Sequence, residues 1–287
     1  MLSDVHGMTI KTLLQQLSAE FSSCSDSPQL DAQLLLCHVL ARPRSYLYTW
    51  PEQTLDTAQQ AQLQQLASRR RRGEPIAHIL GEREFWSLSL KVTADTLIPR
   101  PETELLVEAA LARIPDNAPW AIADLGTGSG AIALAIASER PLCRITAVDK
   151  SQAALAVAED NAGRLGLRNI HFVHGNWFEP LYGREFAMIV SNPPYIEAAD
   201  PHLGQGDVRF EPRDALASGA DGLDDLREII AHAPQHLSPP GWLLLEHGYH
   251  QGEAVLALLR AQGFAATETL TDLQGHDRVA TGCLNKE

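Results

Sequence analysis

Cysteine is scarce and scattered: Cys24, Cys37, Cys143 and Cys283 are the only four among 287 residues, and no CxxC pair occurs. That spacing argues against a zinc site and against a disulfide framework, and it suits free thiols in a reducing, cytoplasmic setting. Long apolar runs are missing as well. A membrane helix needs roughly 20 apolar residues, and the nearest run, Ala131–Ala137, is closed by Glu139 and Arg140. The opening Met1-Leu2-Ser3-Asp4 does not begin a basic region followed by an apolar one, so no secretory signal is expected. Internal repeats and low-complexity segments are also lacking. Positive charge is in short supply, with a net charge of −13. The deficit is local: residues 1–75 hold seven acidic and seven basic side chains, which leaves 29 acidic and 16 basic to the rest. Surfaces that lie on phosphate backbones are normally basic, because their affinity comes from counterion release. Nucleic acid is therefore a poor partner for the larger part.

What remains is an ordinary globular composition, 45% hydrophobic and 21% charged, long enough for one large domain or two unequal ones. Ile10, Leu13, Leu14, Leu17 and Phe21 recur at a helical period, and Ser27-Pro28 opens a second helix with Leu30, Leu34, Leu35 and Val39 as its stripe. A third helix runs from Asp56 to Arg72 and stops at Gly73. Its run Arg69–Arg72 is expected to face solvent, with the cations satisfying the helix dipole. Trp86, Leu88, Leu90 and Val92 then alternate with polar residues, as in a half-buried strand of a linking hairpin. From Pro99 on, short apolar strands alternate with amphipathic helices, which predicts an α/β fold with a doubly wound, largely parallel sheet. The expected division is a helical domain over 1–80, a hairpin linker over 81–98 and an α/β domain over 99–287.

Three motifs carry chemistry. Between a strand and a helix stands Asp124-Leu125-Gly126-Thr127-Gly128-Ser129-Gly130. Nicotinamide folds prefer G-x-G-x-x-G, which sets a pyrophosphate on the helix N-terminus. Here the spacing is G-x-G-x-G with an acid two residues ahead, and a ligand without phosphate that carries an ammonium and a carboxylate, S-adenosylmethionine, suits an acid and free backbone N–H groups better. Asp149 ends the next strand, placed to accept two ribose hydroxyls. The third motif is Ser191-Asn192-Pro193-Pro194-Tyr195, directly after an apolar strand. An amide nitrogen is a poor nucleophile because its lone pair is delocalised. Asn192 with its side-chain carbonyl and Pro193 with a backbone carbonyl can take the two N–H bonds of such a group and aim that lone pair, while Tyr195 offers an aromatic wall. Two further segments attract less chemistry. Glu246-His247-Gly248-Tyr249-His250 lacks the spacing of a helical zinc motif, so no metal is expected. The long stretch Ile196–Gly222 is too long for a plain connection and is expected to be a substrate-facing loop.

These residues, together with Gly73-Glu74-Pro75-Ile76, Leu97-Ile98-Pro99-Arg100-Pro101-Glu102-Thr103-Glu104, Asp207-Val208-Arg209-Phe210-Glu211-Pro212 and Leu244-Leu245-Glu246-His247-Gly248, span nearly the whole chain. In them the chain resembles the HemK/PrmC family, the release factor glutamine methyltransferases. The resemblance implies a class I (Rossmann-like) methyltransferase sheet with a small N-terminal helical domain that recognises substrate. It also implies transfer of a methyl group from S-adenosylmethionine to the glutamine of the Gly-Gly-Gln motif of class 1 peptide chain release factors. Gly126, Thr127, Gly128, Ser129, Gly130, Asp149, Trp177 and Asn192 would line the cofactor. Asn192, Pro193, Pro194 and Tyr195 would hold the glutamine. Asn176 stands where relatives often place an acid, for which a modest effect on cofactor affinity is expected. Because Asn-Pro-Pro-Tyr also occurs in amino methyltransferases acting on adenine, a nucleic-acid adenine methyltransferase working on a flipped base is the alternative. A non-catalytic protein-binding module that keeps the fold is another.

Overall fold

In the computed structural model, which describes residues 7–285, the chain divides into two compact units. Residues 7–82 and the segment Gly204–Phe210 form one, and Arg83–Leu203 with residues 211–285 forms the other.

Among the described residues the first unit holds five α-helices: α1 (Ile10–Phe21), α2 (Pro28–Leu40), α3 (Arg44–Thr49), α4 (Thr57–Arg71) and α5 (Ile76–Leu80). α1 begins where the Thr9 hydroxyl accepts the Thr12 N–H, and α4 where Asp56 and Gln59 form a reciprocal capping box. The predicted α1 stripe is buried at Ile10, Leu13, Leu17 and Phe21, against Leu35, Leu36 and Leu63. In α2 the buried face is shifted and widened from the predicted stripe, which is buried at Leu35 and Val39 only. Leu30 and Leu34 are half-buried, and Asp31, Ala32, Leu35, Leu36 and Val39 point inward.

A buried Asp31 needs a partner, and the arginine run supplies it. Arg70, 2% exposed, donates from Nε to Asp31 at 2.6 Å and from Nη1 to Asp207 at 2.9 Å. Arg69 pairs with Glu74, Arg71 with Glu20, and Arg72 donates to Ser68. The expectation of a solvated run therefore fails at Arg70, which is the internal clamp of this unit. Gly204–Phe210 belongs here for the same reason: Asp207 closes on Arg70, and Arg209 donates to the Arg72 carbonyl.

The second unit opens on a hairpin of β1 (Glu82–Phe85) and β2 (Leu88–Lys91). The single strand suggested by the alternation over 86–92 is instead shortened by a two-residue turn, with Trp86 and Ser87 both at positive φ (52° and 59°). Such turns usually take Asn-Gly. Here the Trp86 N–H donates to Glu104 and its indole to Glu139, and those bonds offset the backbone cost. There follow α6 (Glu104–Arg113), β3 (Ala121–Leu125), α7 (Ala131–Glu139), β4 (Arg144–Asp149), α8 (Gln152–Leu165), β5 (Ile170–His174), β6 (Phe186–Ser191), α9 (Asp224–His232), β7 (Leu237–Glu246), α10 (Gly252–Ala261), β8 (Ala265–Thr271) and β9 (Asp277–Leu284). α9 ends at His232, because Pro234 lacks the N–H needed to continue an α-helix and a 3-10 turn takes over.

The sheet order is β5-β4-β3-β6-β7-β9-β8, parallel except for the pairings of β9, which runs against both β7 and β8. Strand order reverses between β3 and β6, so a crevice opens beyond their carboxyl ends. α7, the longest apolar run of the sequence, is buried on every side from Ala131 to Ala137. At nine residues it spans only about 13 Å, a core helix rather than a membrane one. Among the described residues no helix is long and apolar enough to cross a membrane.

Candidate functional site

At the end of β3 the chain must reverse within a few residues to enter α7, and Gly126, Gly128 and Gly130 all sit at positive φ to do it. Their surroundings differ. A side chain at Gly128 would meet nothing within 4 Å, whereas a Cβ at Gly130 would press on Leu134 and Ala158, and one at Gly126 on the Trp177 ring at 3.1 Å. Gly128 thus faces open space, Gly130 permits close helix packing, and Gly126 lets the Trp177 ring approach the loop. Thr127 and Ser129 are buried, and the Thr127 hydroxyl donates to Asp124 at 2.6 Å. The Asp124 carboxyl is fully enclosed, its Oδ1 has no hydrogen-bond partner, and burial pushes its pKa up to about 7.

Four of the loop's five N–H groups are not free as the sequence suggests. Those of Gly126 and Thr127 bond to the Val148 carbonyl, that of Gly130 to the Thr127 carbonyl, and that of Gly128 to Asp149 Oδ2 at 2.8 Å. Asp149 also accepts the Ser151 N–H on Oδ1 at 2.8 Å, so one carboxylate fastens the glycine loop to the start of α8. Each oxygen keeps a second lone pair for a ligand hydroxyl.

A cavity of about 450 Å³ lies here, lined by Gly126, Gly128, Asp149, Trp177, Asn192 and Pro194 of the predicted residues. That volume accommodates a ligand of nucleoside size. Thr127, Ser129, Gly130, Pro193 and Tyr195 are not in its lining. Trp177 is 7% exposed at a φ of +43° and belongs to the core packed against β3 and β6 as well as to the cavity wall, with Asn176 beside it in the lining. The other wall comprises groups that motif reading left without a role: Asp95, Thr96 and Leu97 before α6, and Pro212, Asp214 and Ala215 from the long loop. Glu211 holds these two segments together, accepting the Ile98 N–H at 2.8 Å and Arg100 Nη2 at 2.5 Å. The signal was present in the Leu97–Glu104 and Asp207–Pro212 segments, yet nothing in either segment alone shows that they meet.

β6 delivers the Asn192–Tyr195 turn to the same edge. Ser191 is fully buried and its hydroxyl donates to the Leu125 carbonyl at 2.7 Å, which locks β6 to β3 just before the turn. Pro193 and Pro194 are buried, Asn192 and Tyr195 half-buried. The Tyr195 hydroxyl donates to Glu246 Oε1 at 3.2 Å, and burial raises the phenol further above its usual range, so it stays protonated. The Gln251 side chain donates to the Tyr195 carbonyl at 3.1 Å. His247 is buried between the Gly248 carbonyl and the Thr269 hydroxyl, and burial lowers its pKa.

Residues 12–81 match the PrmC N-terminal domain family model, and residues 101–206 the methyltransferase small domain model. The release factor glutamine methyltransferase of Vibrio cholerae is 54% identical over 279 residues, covering 96% of each chain. That of Pseudomonas aeruginosa is 54% identical over 276 residues, covering 96% of this chain and 98% of its own. This chain belongs to the release factor glutamine methyltransferases. A crystal structure of a methyltransferase from Pyrococcus furiosus, 16% identical, matches the fold with a TM-score of 0.53 over 76% of this chain and 98% of that one. Within the family frame, the glycine loop of this methyltransferase and its Asn-Pro-Pro-Tyr turn lie at the reversal of strand order, which is where a doubly wound sheet binds its ligands.

Proposed function

We propose that the protein transfers a methyl group from S-adenosylmethionine to the side-chain amide nitrogen of the glutamine in the Gly-Gly-Gln motif of class 1 peptide chain release factors. The observation that carries this reading is the shared cavity: Asn192 and Pro194 of the turn line the same space as Gly128 and Asp149. An amide acceptor and a nucleoside cradle thus open on each other. When bound, S-adenosylmethionine supplies an electrophilic methyl group on a sulfonium sulfur. Asp149 would take the ribose hydroxyls on its free lone pairs, and Trp177 would form part of the wall that holds the cofactor. Asn192 Oδ1 and the Pro193 carbonyl would accept the two amide N–H bonds, so the lone pair points along the transfer line; rate then comes from positioning. No side chain is required as a base before transfer, and the surplus proton leaves to water. A class 1 release factor incubated with the protein and S-adenosylmethionine should gain one methyl group on the Gly-Gly-Gln peptide by mass spectrometry. No mass gain at that glutamine would sink the reading. The cytoplasm, where translation ends, is the corresponding location.

Gly128→Val tests the cradle. The substitution places a β-branched residue at a φ of +57° and fills open cavity space. Affinity for S-adenosylmethionine, read by calorimetry, should fall at least about tenfold, equivalent to about 1.4 kcal/mol. Full affinity would show that the loop does not hold the cofactor.

The helical unit, 1–80 in the sequence reading, would serve recognition of the release factor, with 81–98 as linker and 99–287 as the catalytic part. Residues 1–6 lie outside the described structure. On this unit Tyr48 and Trp50 are 62% and 57% exposed, and exposed aromatics are frequent anchors at interfaces. Trp50→Ser should lower kcat/KM on an intact release factor about fivefold, on the usual cost of more than about 1 kcal/mol for an interface anchor, and leave a short Gly-Gly-Gln peptide unaffected. Equal losses on both substrates would remove the recognition role from Trp50.

A further inference from the structure

Asn192 is held by residues outside its own motif. Its Nδ2 donates to Thr103 Oγ1 at 3.2 Å, and Thr103 is 4% exposed in the 3-10 turn Pro101–Thr103 that leads into α6. Glu246, at the last position of β7, is 1% exposed, and the hydroxyls of Tyr195 and Thr103 both stabilise its ionised form. Tyr195 donates to Oε1 at 3.2 Å, and Oε2 is the oxygen left for the Thr103 hydroxyl. One buried carboxylate therefore underlies both polar side chains of the Asn-Pro-Pro-Tyr turn.

The direction of these bonds matters more than their number. A hydroxyl has one hydrogen and two lone pairs, and an ionised carboxylate only accepts. Once Thr103 gives its hydrogen to Glu246, its oxygen can only accept from Asn192. An amide meets an acceptor with its NH2, so Asn192 turns Nδ2 to Thr103 and leaves Oδ1 for the cavity that it lines. A reversed Asn192 would set its NH2 against the N–H bonds of the incoming glutamine, donor against donor. We infer that Thr103 and Glu246 are positioning residues that fix the Asn192 amide with its oxygen toward the substrate. This inference rests on the reading of Asn192 as the acceptor of the glutamine N–H.

Protonation of Glu246 should undo the arrangement. A protonated Glu246 can donate to the Thr103 oxygen, which frees Thr103 to donate to Oδ1 of a flipped Asn192. Burial pushes the Glu246 pKa up to about 7, against the opposing effects of the two hydroxyls and of Arg278, while Glu102 reinforces the rise. Arg100 and Arg278 also act on the neighbouring Tyr195, and His247 follows Glu246 in the chain. Turnover at saturating cofactor should thus fall as pH drops through about 7. Asp124 titrates in the same range but lies under the glycine loop, so its ionisation reports in cofactor affinity instead.

The test uses Thr103→Val, which keeps the shape and removes the hydroxyl, together with Thr103→Ser and Glu246→Gln, on a release factor substrate. Thr103→Val should lower kcat at pH 8 about tenfold or more, the effect of an unmet buried partner, while the dissociation constant for S-adenosylmethionine changes less than about twofold, well under 1.4 kcal/mol. Thr103→Ser should restore most of kcat. Glu246→Gln, whose NH2 donates at every pH, should abolish the acid limb of the kcat profile and hold kcat near the low-pH value of the wild type. Should Thr103→Val fail to fold, the Ser variant and the pH profile of Glu246→Gln still decide. Wild-type kcat in folded Thr103→Val, or an unchanged acid limb in Glu246→Gln, overturns the inference. Asn192→Ala separates the two levels: if it is inactive while Thr103→Val is fully active, only the positioning role falls, and if it is fully active the reading of Asn192 falls first.

Discussion

Asn192→Ala is expected to lower turnover on the release factor at least about a hundredfold. The substitution removes the acceptor for one glutamine N–H, and an unmet buried donor costs about 1–3 kcal/mol. A poorly aimed lone pair adds to that, and about 2.7 kcal/mol corresponds to a hundredfold in rate. Affinity for S-adenosylmethionine should change far less, because Asp149, Trp177 and the loop around Gly128 also line the cavity. Asn192→Asp is the sharper variant. It retains an acceptor of the same shape but loses the NH2 that meets Thr103 at 3.2 Å. With Glu246 close by, a second carboxylate at 192 would also raise the cost of ionising either one. Asp should therefore fall well below wild type while remaining above Ala. Single-turnover assays at saturating cofactor distinguish these results, and an Ala variant at wild-type rate would end the proposal that Asn192 aims the nucleophile.

Arg70→Met is expected to destabilise the helical unit by about 3–5 kcal/mol, the usual result of leaving one member of a buried ion pair alone. Side-chain exposure of Arg70 and Asp31 is 2% and 4%, so water cannot replace the lost partner. Asp207, at 39%, can rehydrate and contributes little to the loss. Two controls follow from the geometry. Arg71→Met breaks the pair with Glu20 at 33% and 27% exposure and should cost under about 1 kcal/mol. Arg70→Met combined with Asp31→Leu removes both buried charges and should recover most of the stability. Urea unfolding followed by far-UV circular dichroism reads these differences, with a separate early transition expected for Arg70→Met because the chain holds two compact units. If Arg70→Met and Arg71→Met unfold at the same urea concentration, the clamp contributes nothing beyond a surface pair.

How far each of these sites could be read in advance follows from how local its physics is. The glycine loop, Asp149 and Asn192 were legible because a sharp turn after an apolar strand needs particular residues at adjacent positions, and such a turn in a parallel sheet has only one end at which to open. The alternation of strands and helices was legible for the same reason, since periodicity is local. What each loop N–H bonds to was not, because the Val148 carbonyl and Asp149 come from the neighbouring strand. Arg69–Arg72 resembled a solvated helix end, and no property of the run distinguishes Arg70 from its neighbours. That distinction is made by Asp31 and Asp207, 39 and 137 residues away.

The amino-acid sequence by itself determined the fold class and the family, and it placed the Asn192–Tyr195 turn directly after an apolar strand. Only the tertiary structure decided what the side chains of that turn meet. Asn192 meets Thr103 across 89 residues, and Tyr195 meets Glu246 across 51. The donor and acceptor sense of an amide is settled by its partners, and those partners are brought to Asn192 by the packing of the turn before α6 against the end of β7.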